Sequence, residues 1–125
     1  MDILLVEDNP LNQKVVTFSL RKYNYRVTAV MYGREAIELV KTKKFDLILM
    51  DIMLPEMDGF EVTKYIRKYE EESGTIKKIP IIALTANALD NDRDKCYSAG
   101  MNEYLSKPFT SEDLIGVIDK FFPRQ

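Results

Sequence analysis

The chain has 125 residues, a formal charge of −2, one cysteine, no histidine and no tryptophan. That length suits one domain over residues 1–125, large enough to bury a core, and the even acid–base balance leaves no cationic surplus to bind nucleic acid. The longest uninterrupted apolar runs are four residues, far short of the ~20 that span a bilayer, and the start carries no signal-peptide pattern; a cytoplasmic protein is expected. Without histidine, Ser/His and Cys/His catalysis and histidine-bound zinc are excluded. A lone Cys96 excludes a disulfide framework and a cysteine metal cluster within the chain.

In chain order, Ile3–Val6 is a continuous apolar run of the kind that forms a strand buried on both faces. Asn9 is a good N-cap and Pro10 fits the first helical position, opening a helix to about Tyr23. Val27–Met31 reads as a weaker strand, followed by a helix from about Arg34 to Thr42. Leu47–Met50 is a second buried strand. Asp58-Gly59 reads as an N-cap and turn glycine opening a helix on which Phe60, Val62, Tyr65, Ile66 and Tyr69 recur at helical spacing. Ile81–Leu84 is a third buried strand. A polar helix runs from about Ala88 to Ser98 and stops at Gly100, then comes a short strand at Glu103–Leu105. Thr110 and Asp113 resemble a capping box for a last helix carrying Leu114, Ile115, Ile118 and Phe121. Strand and helix alternate five times, which argues for a doubly wound α/β domain with a five-stranded parallel sheet.

Polar residues follow the strands: Glu7 and Asp8 after the first, Asp51 after the third, Thr85 after the fourth, Lys107 after the fifth. Parallel strands bring these to one sheet edge, where ligands of open α/β sheets bind. Neighbouring carboxylates repel unless neutralised, and an oxygen-only acidic cluster suits Mg²⁺. Magnesium suggests a phosphoryl ligand, and a carboxylate nucleophile would give an aspartyl-phosphate, with Lys107 and Thr85 helping to neutralise the phosphoryl oxygens.

Val-Glu-Asp-Asn at 6–9, Leu-Met-Asp-Ile-Met-Leu-Pro-Glu-Met-Asp-Gly at 49–59, Ala-Leu-Thr-Ala at 83–86 and Ser-Lys-Pro-Phe at 106–109 resemble a response-regulator receiver domain, and Val6–Val15 resembles the subgroup attached to hybrid histidine kinases. The resemblance implies a flavodoxin-like (βα)5 sandwich with strand order 2-1-3-4-5. It implies Asp51 as phosphoacceptor, Asp8 as a direct magnesium ligand, Glu7 acting on the metal through water, and the Met53 carbonyl as a further ligand, with Mn²⁺ a possible substitute for Mg²⁺. Lys107, before a cis proline, would pair with the phosphoryl group, and Thr85 would hydrogen-bond it. Tyr104 would be a rotamer switch coupled to Thr85, although packing is the commoner fate of such an aromatic. Met53 and Asn87 would tune the phosphate lifetime. The Glu-Asp acid pair departs from the more frequent Asp-Asp. An autodephosphorylating signalling domain is expected in preference to a magnesium phosphohydrolase of haloacid-dehalogenase type, whose Asp-x-Asp pattern is missing at Asp51-Ile52-Met53, and to a pseudo-receiver.

With no histidine in the chain, a phosphohistidine donor must come from another domain or protein, and the resemblance implies a histidine kinase or histidine-phosphotransfer domain. The first helix carries two apolar stripes, Val16/Leu20/Tyr23 and Leu11/Val15/Phe18, roughly 140° apart by the 3.6-residue period. One suffices to pack on the sheet. The stripe of Leu11, Val15 and Phe18, together with Pro108, is expected to face the donor.

Overall fold

The structure is a computed structural model that describes residues 1–86 and 90–123. Strands β1 (Asp2–Val6), β2 (Arg26–Val30), β3 (Leu47–Asp51), β4 (Ile81–Thr85) and β5 (Glu103–Ser106) alternate with helices α1 (Pro10–Arg21), α2 (Gly33–Thr42), α3 (Gly59–Glu72), α4 (Asp90–Ala99) and α5 (Ser111–Phe121). All strand pairs are parallel and the order is β2-β1-β3-β4-β5. The expected fold class and strand order are therefore present.

Alternation along the buried strands divides the core into two layers, because successive side chains point to opposite faces. Leu4, Val6, Ile48, Met50, Ile81 and Ala83 meet Ala36, Val62, Ile66 and Cys96 from α2, α3 and α4. Ile3, Leu5, Leu47, Leu49, Ile82 and Leu84 meet Val16, Leu20, Leu114, Ile115 and Ile118 from α1 and α5. The apolar runs have no polar face because helices cover both sides of the sheet.

Local chemistry sets the element ends. Asn9 Oδ1 accepts from the Leu11 and Asn12 amides at 2.9 and 3.1 Å, with Pro10 at the first helical position. Thr110 and Asp113 exchange side-chain-to-backbone bonds of 3.0 Å, closing the capping box on α5. Helix α1 ends at Arg21, before Tyr23, because the chain turns there: the Asn24 amide reaches the Arg21 carbonyl and Asn24 takes φ 64°, which asparagine tolerates better than most residues. Gly59 is needed for closeness and not for a turn. A Cβ there would lie 2.4 Å from the Asp51 carbonyl oxygen and 2.9 Å from Ile52 Cα. Among the described residues, no helix is long and apolar enough to cross a membrane.

Candidate phosphoacceptor site

Asp51 ends β3, and Thr85 and Ser106 face each other at the ends of β4 and β5. Glu7 and Asp8 follow β1, the strand next to β3. Topology thus collects the predicted acids, threonine and lysine at the carboxyl edge of the sheet. Glu7, Asp51 and Thr85 are buried, while Asp8 and Lys107 are half-buried.

The two oxygens of Asp51 have different partners. Oδ1 accepts from the Met53 amide at 2.9 Å, and Oδ2 accepts from Lys107 Nζ at 2.8 Å. Lys107 is aimed by its backbone: its amide donates to the Thr85 carbonyl at 2.7 Å, and a cis peptide bond joins it to Pro108. Its Nζ also lies 3.5 Å from Glu7 Oε1. Burial acts to lower the Lys107 pKa, but the Asp51 and Glu7 carboxylates outweigh it and hold the ammonium above its ordinary value.

Glu7 carries the electrostatic strain of the site. Its Oε1 accepts from Asn12 Nδ2 at 2.7 Å, whereas Oε2 is buried with no hydrogen-bond partner. Burial, and then the adjacent Asp51 carboxyl, push Glu7 up to about 7, against the opposing pull of Asn12 and Lys107. Buried polar atoms are nearly always satisfied, so a partnerless carboxylate oxygen beside two other acids marks a place for a cation. Glu7, Asp8 and Asp51 each present an oxygen within 4.8 Å of the others. This oxygen-only donor set fits a hard divalent ion such as Mg²⁺.

Tyr104 is half-buried against the α2–α4 side of the core. Its hydroxyl accepts from Arg93 Nε at 3.0 Å, the Arg93 guanidinium carbon lies 5.2 Å from its ring centre, and Tyr97 meets it edge-on at 6.4 Å. Met53 is 73% exposed at the mouth of the site. Asn87 lies outside the described residues. On α1, Leu11, Val15 and Phe18 are exposed, whereas Val16 and Leu20 are buried. A cavity of ≈ 490 Å³ joins this helix to the acidic site, lined by Val15, Val16, Pro108 and Phe109 together with Glu7 and Lys107.

Sequence reasoning missed Asn12, Gln13 and Arg93. Gln13 Nε2 donates to the Glu7 and Val30 carbonyls at 2.7 and 3.1 Å and ties the ends of β1 and β2 together beside the acids. The one available signal was the polar Asn12-Gln13 pair in the first turn of the helix that follows the acids.

The fold and this edge define a class of protein. The family described as the response regulator receiver domain matches residues 3–119. The chain belongs to that family. It is 48% identical over 120 residues to the hybrid signal transduction histidine kinase M of Dictyostelium discoideum, a match covering 94% of this chain and 5% of that protein. The chain therefore spans about one twentieth of the length of that relative. Among solved structures, the receiver domain of a Pseudomonas aeruginosa sensor histidine kinase is 46% identical, with a TM-score of 0.86 and 98% of each chain covered. That structure has a magnesium ion coordinated in the active-site cleft. The receiver domain of the Saccharomyces cerevisiae response regulator Ssk1, co-crystallised with the histidine phosphotransfer protein Ypd1, is 33% identical. Its TM-score is 0.91, and the match covers 96% of this chain and 87% of that one.

Proposed function

We propose that residues 1–125 act as one receiver unit that accepts a phosphoryl group from a phosphohistidine onto Asp51, in a magnesium-dependent reaction that alters the surface offered to partners. The observation that carries this reading is the placement of Asp51. It is buried at the end of β3, gripped on one oxygen by the Met53 amide and on the other by Lys107, beside a partnerless Glu7 oxygen.

An Asp51 oxygen attacks phosphorus, the bond from phosphorus to the donor nitrogen breaks, and its electron pair stays on the imidazole, which takes up a proton from water. Such a transfer needs positioning and charge neutralisation more than covalent help. The Met53 amide fixes the carboxylate's rotation. Lys107 exchanges its contact with Asp51 for one with the incoming phosphoryl oxygen, and the Thr85 hydroxyl donates to another. Asp8, Asp51 and the Met53 carbonyl are the residues that would hold magnesium, with Glu7 acting through water. The ion supplies positive charge to the phosphoryl oxygens when bound; manganese, with the same preference for oxygen ligands, is a substitute. Water attack on the same acyl phosphate would give the domain its own slow dephosphorylation, with Met53 and Asn87 setting access. Thr85 and Tyr104 sit on the neighbouring strands β4 and β5, so a pull on Thr85 is placed to favour a new Tyr104 rotamer. Such differential contacts are what shift a two-state equilibrium.

The donor lies outside this chain, which has no histidine, and the receiver family and its relatives support a histidine kinase or histidine-phosphotransfer domain. Leu11, Val15 and Phe18 are 68%, 57% and 65% exposed. Contiguous apolar surface of this kind marks an interaction site. Val15 and Pro108 line the cavity that leads to Lys107, so a helix laid along this face would present its phosphohistidine to Asp51. The single cysteine, the buried Cys96, suits a reducing cytoplasm.

Intact-mass measurement after incubation with acetyl phosphate, with and without Mg²⁺, tests the reading. A single phosphoryl adduct that needs Mg²⁺ is expected. Steady turnover without an adduct would indicate a phosphohydrolase, and no reaction would indicate a pseudo-receiver.

A further inference from the structure

A second cavity, of ≈ 600 Å³, lies at the opposite edge of the sheet, between the α2–β3 and α3–β4 connections. Lys41, Lys43, Lys44 and Lys77 ring it, and Phe45 and Tyr69 line it. The two acids in its wall are already engaged. Glu70 is buried, with Oε1 accepting from Arg67 at 2.7 Å and Oε2 from the Ile79 amide at 2.8 Å. Asp46 Oδ2 accepts from the Asp2 amide at 2.7 Å.

The lysines are largely uncommitted. Lys41 reaches Glu38 at only 3.9 Å between two exposed side chains, a pair worth little. Lys43 lies over the Phe45 ring, 5.2 Å from its centre, with its Nζ 3.4 Å from the Thr28 hydroxyl. Lys44 and Lys77 form no ion pair among the described residues. Lys41 and Lys43 flank the end of α2, where a cation is stabilised by the helix dipole, but that account does not extend to Lys77 on another connection. What remains is a concave site with excess positive charge at the rim, the half-buried Tyr69 ring in its wall and the edge of the core residue Phe45 at its base.

We propose that this groove binds an acidic extended peptide segment of a partner protein, with carboxylates on the lysines and an apolar side chain on the half-buried Tyr69 ring. Charge complementarity selects the acidic occupant. The Tyr69 ring argues against a small inorganic anion, which would leave the aromatic surface unused, and the volume is in the range of organic-ligand pockets. Nucleic acid would need a basic stripe that follows its backbone, and the chain's net charge is −2. Because β3 runs from this edge to Asp51, an occupant here leaves the phosphoacceptor edge open. The segment can thus tether a partner throughout phosphoryl transfer.

The test uses a fluorescein-labelled polyglutamate peptide with a central phenylalanine, followed by anisotropy and by amide NMR shifts. Saturable binding is expected, weakening as salt rises, with shifts confined to Val40–Asp46, Tyr69–Glu70 and Thr75–Ile79. The Lys44→Glu/Lys77→Glu variant should bind roughly tenfold more weakly, from two reversed rim charges, and should take phosphate from acetyl phosphate at the wild-type rate. Unchanged affinity in that variant, salt-insensitive binding by the wild type, or shifts elsewhere would overturn the proposal. Equal affinity for inorganic tripolyphosphate would also overturn it, in favour of a small-anion site.

Discussion

Replacing Glu7 with glutamine should stabilise the metal-free protein at high pH while weakening its hold on magnesium. Glu7 is raised from 4.5 to about 7 by burial and by Asp51. Between those values the folded protein keeps a proton that the unfolded chain has released, so the Glu7 contribution to stability is lost as pH rises through about 7. At 1.36 kcal/mol per pH unit the whole gap corresponds to ~3 kcal/mol. A gain of about 2–3 kcal/mol is therefore expected for Glu7→Gln above pH 8, and close to none near pH 4.5. The amide keeps the oxygen that Asn12 Nδ2 reaches at 2.7 Å and offers Asp51 an N–H donor in place of a repelling oxygen. For a domain of this size the gain corresponds to a rise on the order of 10 °C in Tm. Thermal unfolding in EDTA at pH 5 and pH 8 measures it, and comparing variant with wild type at each pH removes the other carboxylates. Saturating Mg²⁺ at pH 8 should then stabilise the wild type more than the variant, because an ion that binds only the folded state adds stability by mass action. A Tm difference independent of pH, or a glutamine variant less stable at pH 8, would refute the assignment of strain to Glu7.

Asp8→Ala should weaken Mg²⁺ binding on the order of tenfold or more, the scale of effects at metal sites, and make phosphorylation slow and nearly metal-insensitive; titration calorimetry checks the first effect and the metal dependence of the rate the second. Lys107→Ala should leave the fold intact but shrink the NMR shifts that beryllofluoride induces near Thr85 and Tyr104, because the ammonium that rests 2.8 Å from Asp51 is no longer there to move onto the bound group. Val15→Lys, at a position 57% exposed, should change stability by no more than about 0.5 kcal/mol. Transfer from a phosphorylated histidine-phosphotransfer protein should fall in that variant while acetyl phosphate still reacts at the wild-type rate.

Much of this architecture is legible because it rests on local signals. Apolar runs such as Leu47–Met50 mark strands covered on both faces, and Asn9-Pro10 and Thr110/Asp113 announce their helices. Alternation of the elements then puts Glu7, Asp8, Asp51, Thr85 and Lys107 on one edge without any knowledge of side-chain contacts. What escapes the sequence depends on partners far along the chain. Arg67 donates to the Gly100 carbonyl and to Asn102 Oδ1, and Asn102 in turn accepts from the Ile81 amide, fastening α3 to the start of β4 and to the turn before β5. Neither residue has a periodic or capping signature. Arg93 is similar, an arginine on a polar helix until β5 brings the Tyr104 hydroxyl to it. Gly59 looks like a turn residue by its neighbours, but the backbone of Asp51 and Ile52 is what forbids a side chain there.

The central claim is that Asp51, and no other carboxylate of the cluster, carries the phosphoryl group. Borohydride reduces an acyl phosphate to an alcohol, so treating the acetyl phosphate adduct with it and mapping the peptides by mass spectrometry locates the acceptor. The account predicts homoserine at position 51 and no adduct in Asp51→Asn, whose amide is not a carboxylate nucleophile. Reduction at Glu7 or Asp8, or wild-type phosphate uptake by the Asp51→Asn protein, would contradict it.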